Sequence, residues 1–235
     1  MKRDARDAVV ITTQNEAGSI SELVEVLRDR ALDVIVIDNR STDLTVQRAR
    51  AAGAQVSVNS RKLGIGPSLQ AGLRAASSLG YDRIVTFDAG GSHNPYEVPG
   101  LLAAHATRRV DILIGSRFVA GGRYFAPTRR YWRAAASRIA ATACNLKAGQ
   151  PRRWHVRDWT SGLRAYSRDA ADLLLSMPYR AQMHGWQIEV LDWALQLNLN
   201  VQEYPITYTA GRSSFSAAIA REALGAWWRV GRWIE

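Results

Sequence analysis

Cysteine is almost absent from this chain. Cys144 is the only one in 235 residues, which excludes a disulfide framework and any cysteine-based zinc site, and points to a reducing compartment. Its Ala-rich surroundings assign it to core packing. No uninterrupted run of about eighteen apolar residues is present to span a bilayer, and the charged stretch from Met1 to Asp7 has neither the apolar segment nor the cleavage site of a secretory signal. Internal repeats and low-complexity tails are missing as well. Negative charge is scarce: 21 acidic residues stand against 31 Lys and Arg, for a net charge of +10. Such an excess suits nucleic acid, anionic lipid or phosphorylated small molecules. Helix-turn-helix, RNP and zinc patterns are all lacking, which ranks nucleic acid last. The expected location is cytoplasmic, either free or peripheral at the cytoplasmic face of a membrane.

In the first half, short apolar runs alternate with longer segments of helical period, the pattern of a mostly parallel sheet covered by helices in an α/β fold. Strands are predicted at Ala8 to Thr13, Val34 to Asp38, Gln55 to Val58, Arg83 to Asp88 and Asp111 to Ser116. Helices are predicted at Ala17 to Arg30, Thr42 to Ala52, Gly66 to Leu79 and Tyr96 to Thr107. The second half gives a basic Ala-rich helix from about Arg129 to Leu146, a strand at Gly162 to Tyr166, helices at Gly185 to Leu197 and Ser216 to Trp233, and a strand at Val201 to Tyr208. A chain of this length suits a single domain. Strands ending in Gln14-Asn15-Glu16, Asp38-Asn39-Arg40 and Asp88-Ala89-Gly90 bring three polar clusters to one rim, where open α/β sheets bind ligands.

Several of these residues have both a plain and a chemical reading. Ser41-Thr42-Asp43 suits a helix cap, whereas Asp38 at a strand end could bind a ribose or base. Lys62-Leu-Gly-Ile-Gly66 could hold a phosphate or simply turn the chain. Asp88 is the strongest candidate for a site acid, and Ser92 and His93 follow it in the same loop. His93, ahead of Asn-Pro, is a turn residue or a substitute metal ligand. Arg117 after Gly115-Ser116 suits a phosphate, because its planar fork binds oxygens bidentately. Arg133 and Ser137 are four apart on one helix face, near Arg129 and Arg130. They form either a solvated basic face or, with Arg117, a seat for a dianionic phosphate. Arginines and tryptophans between Arg221 and Trp233 suit packing or the membrane headgroup zone.

Taken in order, Val9-Val-Ile-Thr-Thr-Gln-Asn-Glu16, Val36-Ile-Asp-Asn-Arg-Ser-Thr-Asp43, Lys62-Leu-Gly-Ile-Gly66, Asp111-Ile-Leu-Ile-Gly-Ser-Arg117 with Gly121-Gly122, and Asp158-Trp-Thr-Ser-Gly-Leu-Arg-Ala-Tyr166 resemble the dolichyl- and polyprenyl-phosphate glycosyltransferases of inverting family 2, which have the GT-A fold. The resemblance implies transfer from a nucleotide sugar, GDP-mannose-like or a UDP-sugar, to a polyprenyl phosphate. It also implies a membrane surface as partner, with a membrane protein as a further candidate. About 1–120 would form the nucleotide-sugar half, and about 121–235 the acceptor half with membrane-interface helices. Arg117, Arg133 and Ser137 would hold the acceptor phosphate. Thr12, Gln14, Glu16, Ile37, Asn39, Asp88, Ala89, Gly90 and Arg212 would line the donor site, with Asp88 near Mg²⁺ or Mn²⁺.

The chain departs from that family mainly on the donor side. Thr12 and Gln14 replace Pro and Tyr, Asn39 replaces the second acid of an Asp pair, and Gly90 replaces the second metal acid. Ser92 stands where another metal ligand often lies, and Ser214 replaces a lysine, leaving Arg212 to contact the diphosphate. One carboxylate makes Mg²⁺ rely on water and substrate phosphates, so a weakened metal dependence is expected. The competing reading is a non-catalytic descendant that binds a polyprenyl phosphate or a partner enzyme.

Overall fold

A computed structural model describes residues 5–126, 131–149, 155–211 and 217–232. Parallel strands β1 (Asp7–Thr13), β2 (Asp33–Asp38), β3 (Gln55–Val58), β4 (Arg83–Asp88) and β5 (Ile112–Ser116) fall within a residue of their predicted positions. The helices between them are α1 (Ile20–Arg28), α2 (Thr45–Ala51), α3 (Ile65–Ser78) and α4 (Val98–Arg108), the last entered through a short 3-10 turn at Pro95–Glu97. Then come β6 (Arg123–Phe125), α5 (Trp132–Lys147), β7 (Arg164–Ser167), α6 (Arg168–Leu175), α7 (Gly185–Gln196), β8 (Val201–Pro205), β9 (Thr207–Thr209) and α8 (Ala217–Arg229). Seven strands form one sheet in the order β3-β2-β1-β4-β7-β5-β8, and β6 pairs with β9 in a second. Only β7 runs antiparallel in the large sheet. The mostly parallel α/β expectation is met.

Alternation explains the two faces. In β1, Ala8 and Val10 pack under α3 while Val9 and Ile11 pack against α1, and β2 repeats this with Ile35 and Ile37 opposed to Val34 and Val36. Strands buried on both faces read as unbroken apolar runs, which is why they were found in the sequence. The helix α6 was not predicted, although Ser167 caps it by accepting from the Ala170 N–H at 3.2 Å.

The predicted strand Val201 to Tyr208 is two strands, because the chain changes sheets at Ile206. Up to Pro205 it pairs with β5, after which Thr207–Thr209 pairs with β6. The Ile206 N–H reaches Ser116 O at 3.1 Å while its carbonyl accepts from Arg123 at 2.9 Å. This crossing carries Tyr208 over Arg117.

Lys62-Leu-Gly-Ile-Gly66 takes its plain reading. A Cβ on Gly64 would lie 2.0 Å from Gln182 O, and one on Gly66 2.9 Å from Trp186 Cβ. The Gly66 N–H already donates to Gln182 O at 2.9 Å. The glycines permit the approach of the turn before α7, and that turn fills the space a phosphate would need. Gly64→Ala should therefore destabilise the protein by about 1–3 kcal/mol or prevent folding, measurable as a lowered urea midpoint, whereas Gly18→Ser, where a side chain meets nothing within 4 Å, should cost less.

Candidate functional site

The carboxyl ends of β1, β2 and β4 are in register, with Thr12 opposite both Ile37 and Asp88. The loops that leave them are laced by polar side chains. Asp43 accepts from the Thr45 N–H at 3.0 Å and from the Ala17 N–H at 3.2 Å, Thr45 Oγ1 accepts from the Glu16 N–H at 2.8 Å, and Asn15 Oδ1 accepts from the Thr42 N–H at 2.8 Å. Asp38 is fully buried and accepts from the Ser41 N–H at 2.9 Å and the Ser41 hydroxyl. It shapes the loop and has no face left for a ribose. Asn39 donates to Leu63 O at 2.6 Å and accepts from the Leu63 N–H at 2.7 Å. An aspartate could not make the first of these bonds. An asparagine at this position thus has a structural use.

Thr12, Ile37 and Ala89 are buried. Ile37 packs in the core beneath α3, so its side chain does not line the open rim. Gln14 and Glu16 are partly exposed there. Burial raises the Glu16 carboxyl above the ordinary value, opposed by the Ser19 hydroxyl and aided by Asp43. A Cβ on Gly90 would meet nothing nearer than Glu16 Oε1 at 4.0 Å. Gly211, whose own Cβ would lie 3.6 Å from Gly90 O and from Ser92 Oγ, brings the next segment to the same loop. Arg212 lies outside the described residues, as do Arg129, Arg130 and Ser214.

Asp88 keeps a third of its side chain exposed. His93 turns towards it, with Nε2 3.9 Å from Asp88 Oδ2. The ring is buried between Phe87 and Tyr208, at centroid distances of 5.8 and 5.1 Å, and its Nδ1 has no hydrogen-bond partner among the described residues. Burial pushes the imidazole down to about 4, against an opposing pull from Asp88. It is neutral at pH 7. Among the described residues no group of three or more His, Cys, Asp or Glu is placed to hold a metal.

Arg117 is 8% exposed and lies against Asp158, which is fully buried. Its Nε donates to Asp158 Oδ2 at 2.7 Å, its Nη2 to Asp158 Oδ1 at 2.5 Å and to Thr160 Oγ1 at 2.7 Å, and its main-chain N–H to Asp158 Oδ2 at 3.0 Å. The bidentate fork expected to meet a phosphate is therefore spent within the protein. Burial alone would raise the Asp158 carboxyl, but Arg117 outweighs it and holds it below the usual range. The Phe118 and Tyr208 rings lie 4.9 and 5.0 Å from the guanidinium carbon. Tyr208 also stacks on Tyr124 at 5.6 Å, whose hydroxyl feels both Arg117 and Arg133. Arg133 Nε is buried without a partner among the described residues, and Ser137 lies one turn on, partly exposed.

The segment Asp158–Gly162 joins the two sides. Asp158 grips Arg117, while four residues later Gly162 faces Asp88 so closely that a Cβ would fall 2.6 Å from Asp88 Oδ2. The sequence alone gives Asp158 no role. Its pairing with Arg117, 41 residues away, leaves no local signal, and Tyr208 was hidden by the misread strand.

Away from the rim, α5 exposes Trp132, Ile139 and Leu146 at 58, 72 and 71%, spaced by seven and so on one face. On α8, Leu224 and Trp228 are also exposed. Lys147 joins the helix ends by donating to Trp227 O and Trp228 O. No helix of the described residues is long and apolar enough to cross a membrane.

Residues 8–175 match the model of the family described as Glycosyl transferase family 2. An undecaprenyl-phosphate mannosyltransferase of Micrococcus luteus is 31% identical, covering 97% of this chain and 96% of that protein. A polyprenol monophosphomannose synthase of Mycolicibacterium smegmatis is also 31% identical, covering 97% of this chain and 86% of its own length. Among solved structures, the glucosyl-3-phosphoglycerate synthase of Mycobacterium tuberculosis in complex with Mn²⁺, UDP and glucosyl-3-phosphoglycerate aligns with a TM-score of 0.73 at 22% identity, covering 97% of this chain and 81% of that one. At that identity the likeness bears on the fold.

His93 gives a pH test. Its folded value lies below its unfolded one, so between about pH 6.5 and 4 the unfolded chain binds the extra proton and stability falls as pH falls. The loss should be roughly 2–3 kcal/mol, and His93→Gln should flatten that part of the pH profile in urea unfolding between pH 7 and 4.

Proposed function

The chain belongs to glycosyl transferase family 2, and from that premise we propose that it transfers mannose from a nucleoside diphosphate donor to a polyprenyl phosphate at the cytoplasmic face of a membrane, inverting the anomeric carbon. The observation that carries this reading is the bridge from Asp158 to Gly162. It places a buried arginine and the Asp88 loop against one short segment, as a donor diphosphate and an acceptor phosphate must be placed for in-line attack. The names of the two relatives at 31% identity support mannose and a polyprenyl acceptor.

A phosphate monoester is already ionised near neutral pH, so its oxygen can attack the sugar carbon without a strong base while the bond to the diphosphate breaks. The protein must orient the two and stabilise the departing charge. Arg117, Arg133 and Ser137 would hold the acceptor phosphate, the unpartnered Arg133 Nε being a donor desolvated and in need of an anion. Glu16 and Gln14 would line the donor side with Thr12, Asn39 shaping the adjoining loop. The half-open Asp88 carboxylate, beside the free space at Gly90, fits a divalent cation that takes its other ligands from the diphosphate and water. When bound, Mg²⁺ or Mn²⁺ would supply charge neutralisation at the leaving group. The exposed apolar stripe of α5, with Arg221, Leu224 and Trp228 of α8, would rest on an anionic membrane surface where such an acceptor resides.

Incubation of the purified protein with a panel of nucleotide sugars and a short polyprenyl phosphate should give a mannosyl-phosphate lipid by mass spectrometry; donor binding without turnover of any lipid would sink the reading. Arg133→Ala should raise the acceptor KM about tenfold, the scale of one charge-assisted hydrogen bond, with the circular dichroism unchanged. A single-acid metal site makes a further claim. Because a side chain at Gly90 meets open space, Gly90→Asp should fold normally and bind Mn²⁺ roughly tenfold more tightly in the presence of nucleoside diphosphate, as read by titration calorimetry. Equal affinity in both proteins would remove the weakened-metal reading.

A further inference from the structure

We propose that Asp158 is a positioning residue for the acceptor phosphate: by occupying one edge of the Arg117 guanidinium it selects Nη1 as the group that meets the phosphate and fixes where that nitrogen points. The inference rests on the reading of Arg117 as an acceptor ligand. It comes from counting donors. Nε gives its hydrogen to Asp158 Oδ2, and Nη2 gives one to Asp158 Oδ1 and one to Thr160 Oγ1. The two hydrogens of Nη1 remain, with no partner among the described residues. The Phe118 and Tyr208 rings lie 4.9 and 5.0 Å from the guanidinium carbon, and the residue is 8% exposed. Nη1 is therefore the nitrogen left with hydrogens to offer an anion.

Asp158 is itself held from two strands. Glu203 of β8 accepts from the Arg157 and Asp158 N–H groups, each at 2.9 Å. Arg164 of β7, fully buried, donates through Nε to Ser161 O at 3.0 Å and through Nη2 to Trp159 O at 2.9 Å. The segment is thereby bolted to the sheet on either side of the acid. A surface arginine would retain most of its rotamers; this one keeps a single orientation. Asp158 is unsuited to act as a base, since both oxygens are filled by Arg117 and no solvent reaches them.

The test is steady-state kinetics of the full chain, with a short polyprenyl phosphate and the nucleotide sugar varied in turn. Asp158→Asn releases the Arg117 fork and should raise the acceptor KM roughly tenfold or more, with donor KM and donor affinity by calorimetry unchanged. Glu203→Gln should shift the acceptor KM in the same direction by a smaller factor. In an Arg117→Lys background, where no fork exists to be aligned, Asp158→Asn should add little further change. If Asp158→Asn does not fold, Glu203→Gln decides. An unchanged acceptor KM in the folded variants overturns the proposal. A fall in kcat with loss of the acidic limb of the pH profile also overturns it, in favour of a base. Absence of lipid product from the wild-type chain with every donor would instead defeat the proposed function, so the two failures are distinguishable.

Discussion

Asp158 carries a negative charge in a place where water does not reach, and it can do so only because Arg117 lies against it. Removing one member of such a pair leaves an uncompensated buried charge and costs about 3–5 kcal/mol, so neither residue is free to vary alone. The pair ties the end of β5 to the segment that leads into β7. That segment places Gly162 beside Asp88. The antiparallel insertion of β7 between β4 and β5 thus sets the separation of the two polar clusters, and the charge pair locks the insertion.

The two sides of the rim are built differently. Around Arg117 the atoms are packed and their hydrogen bonds largely satisfied, with Glu203, Arg164, Phe118 and Tyr208 each restraining the pair. Around Asp88 there is open space, one exposed carboxylate and a neutral histidine. Under the proposed function, a phosphate entering the first environment would meet donors already oriented, so little ordering would be needed on binding. A diphosphate entering the second would bring its own charge and cation ligands. Tyr208 spans the difference, meeting His93 in a T-shaped contact and Arg117 with its face.

Most of the sheet was legible in the sequence because parallel strands buried on both faces leave unbroken apolar runs, and each run ended in polar residues at the rim. The fate of those polar residues was not legible. Asp38, Asn39 and Asp88 look alike as strand-end groups, yet Asp38 is spent on Ser41 and Asn39 on Leu63, and only Asp88 keeps an exposed oxygen. Asp38 is taken by Ser41 only three residues on, but Asn39 is taken by a loop 24 residues away. Distance along the chain also hid the partner of Arg117. Its expected role as a bidentate phosphate fork followed from the chemistry of arginine alone, and only the fold reveals that Asp158 already holds the fork. The split of Val201 to Tyr208 did leave a mark: Pro205 stands immediately before the crossing at Ile206, and a proline inside a strand-like run signals an edge or an end.

Glycine carries opposite meanings at three points of the fold. At Gly64 and Gly162 the missing side chain is required, because a backbone carbonyl or a carboxylate occupies its place. At Gly90 nothing does, so a side chain there would meet open space. Under the proposed function this position matters through charge alone: with no carboxylate at Gly90, repulsion of an incoming diphosphate by the Asp88 loop would be smaller even as the hold on a cation would be weaker. The two effects oppose each other at the same atoms, so a donor site of this kind would keep its affinity while shifting the work of charge compensation from the protein to the substrate.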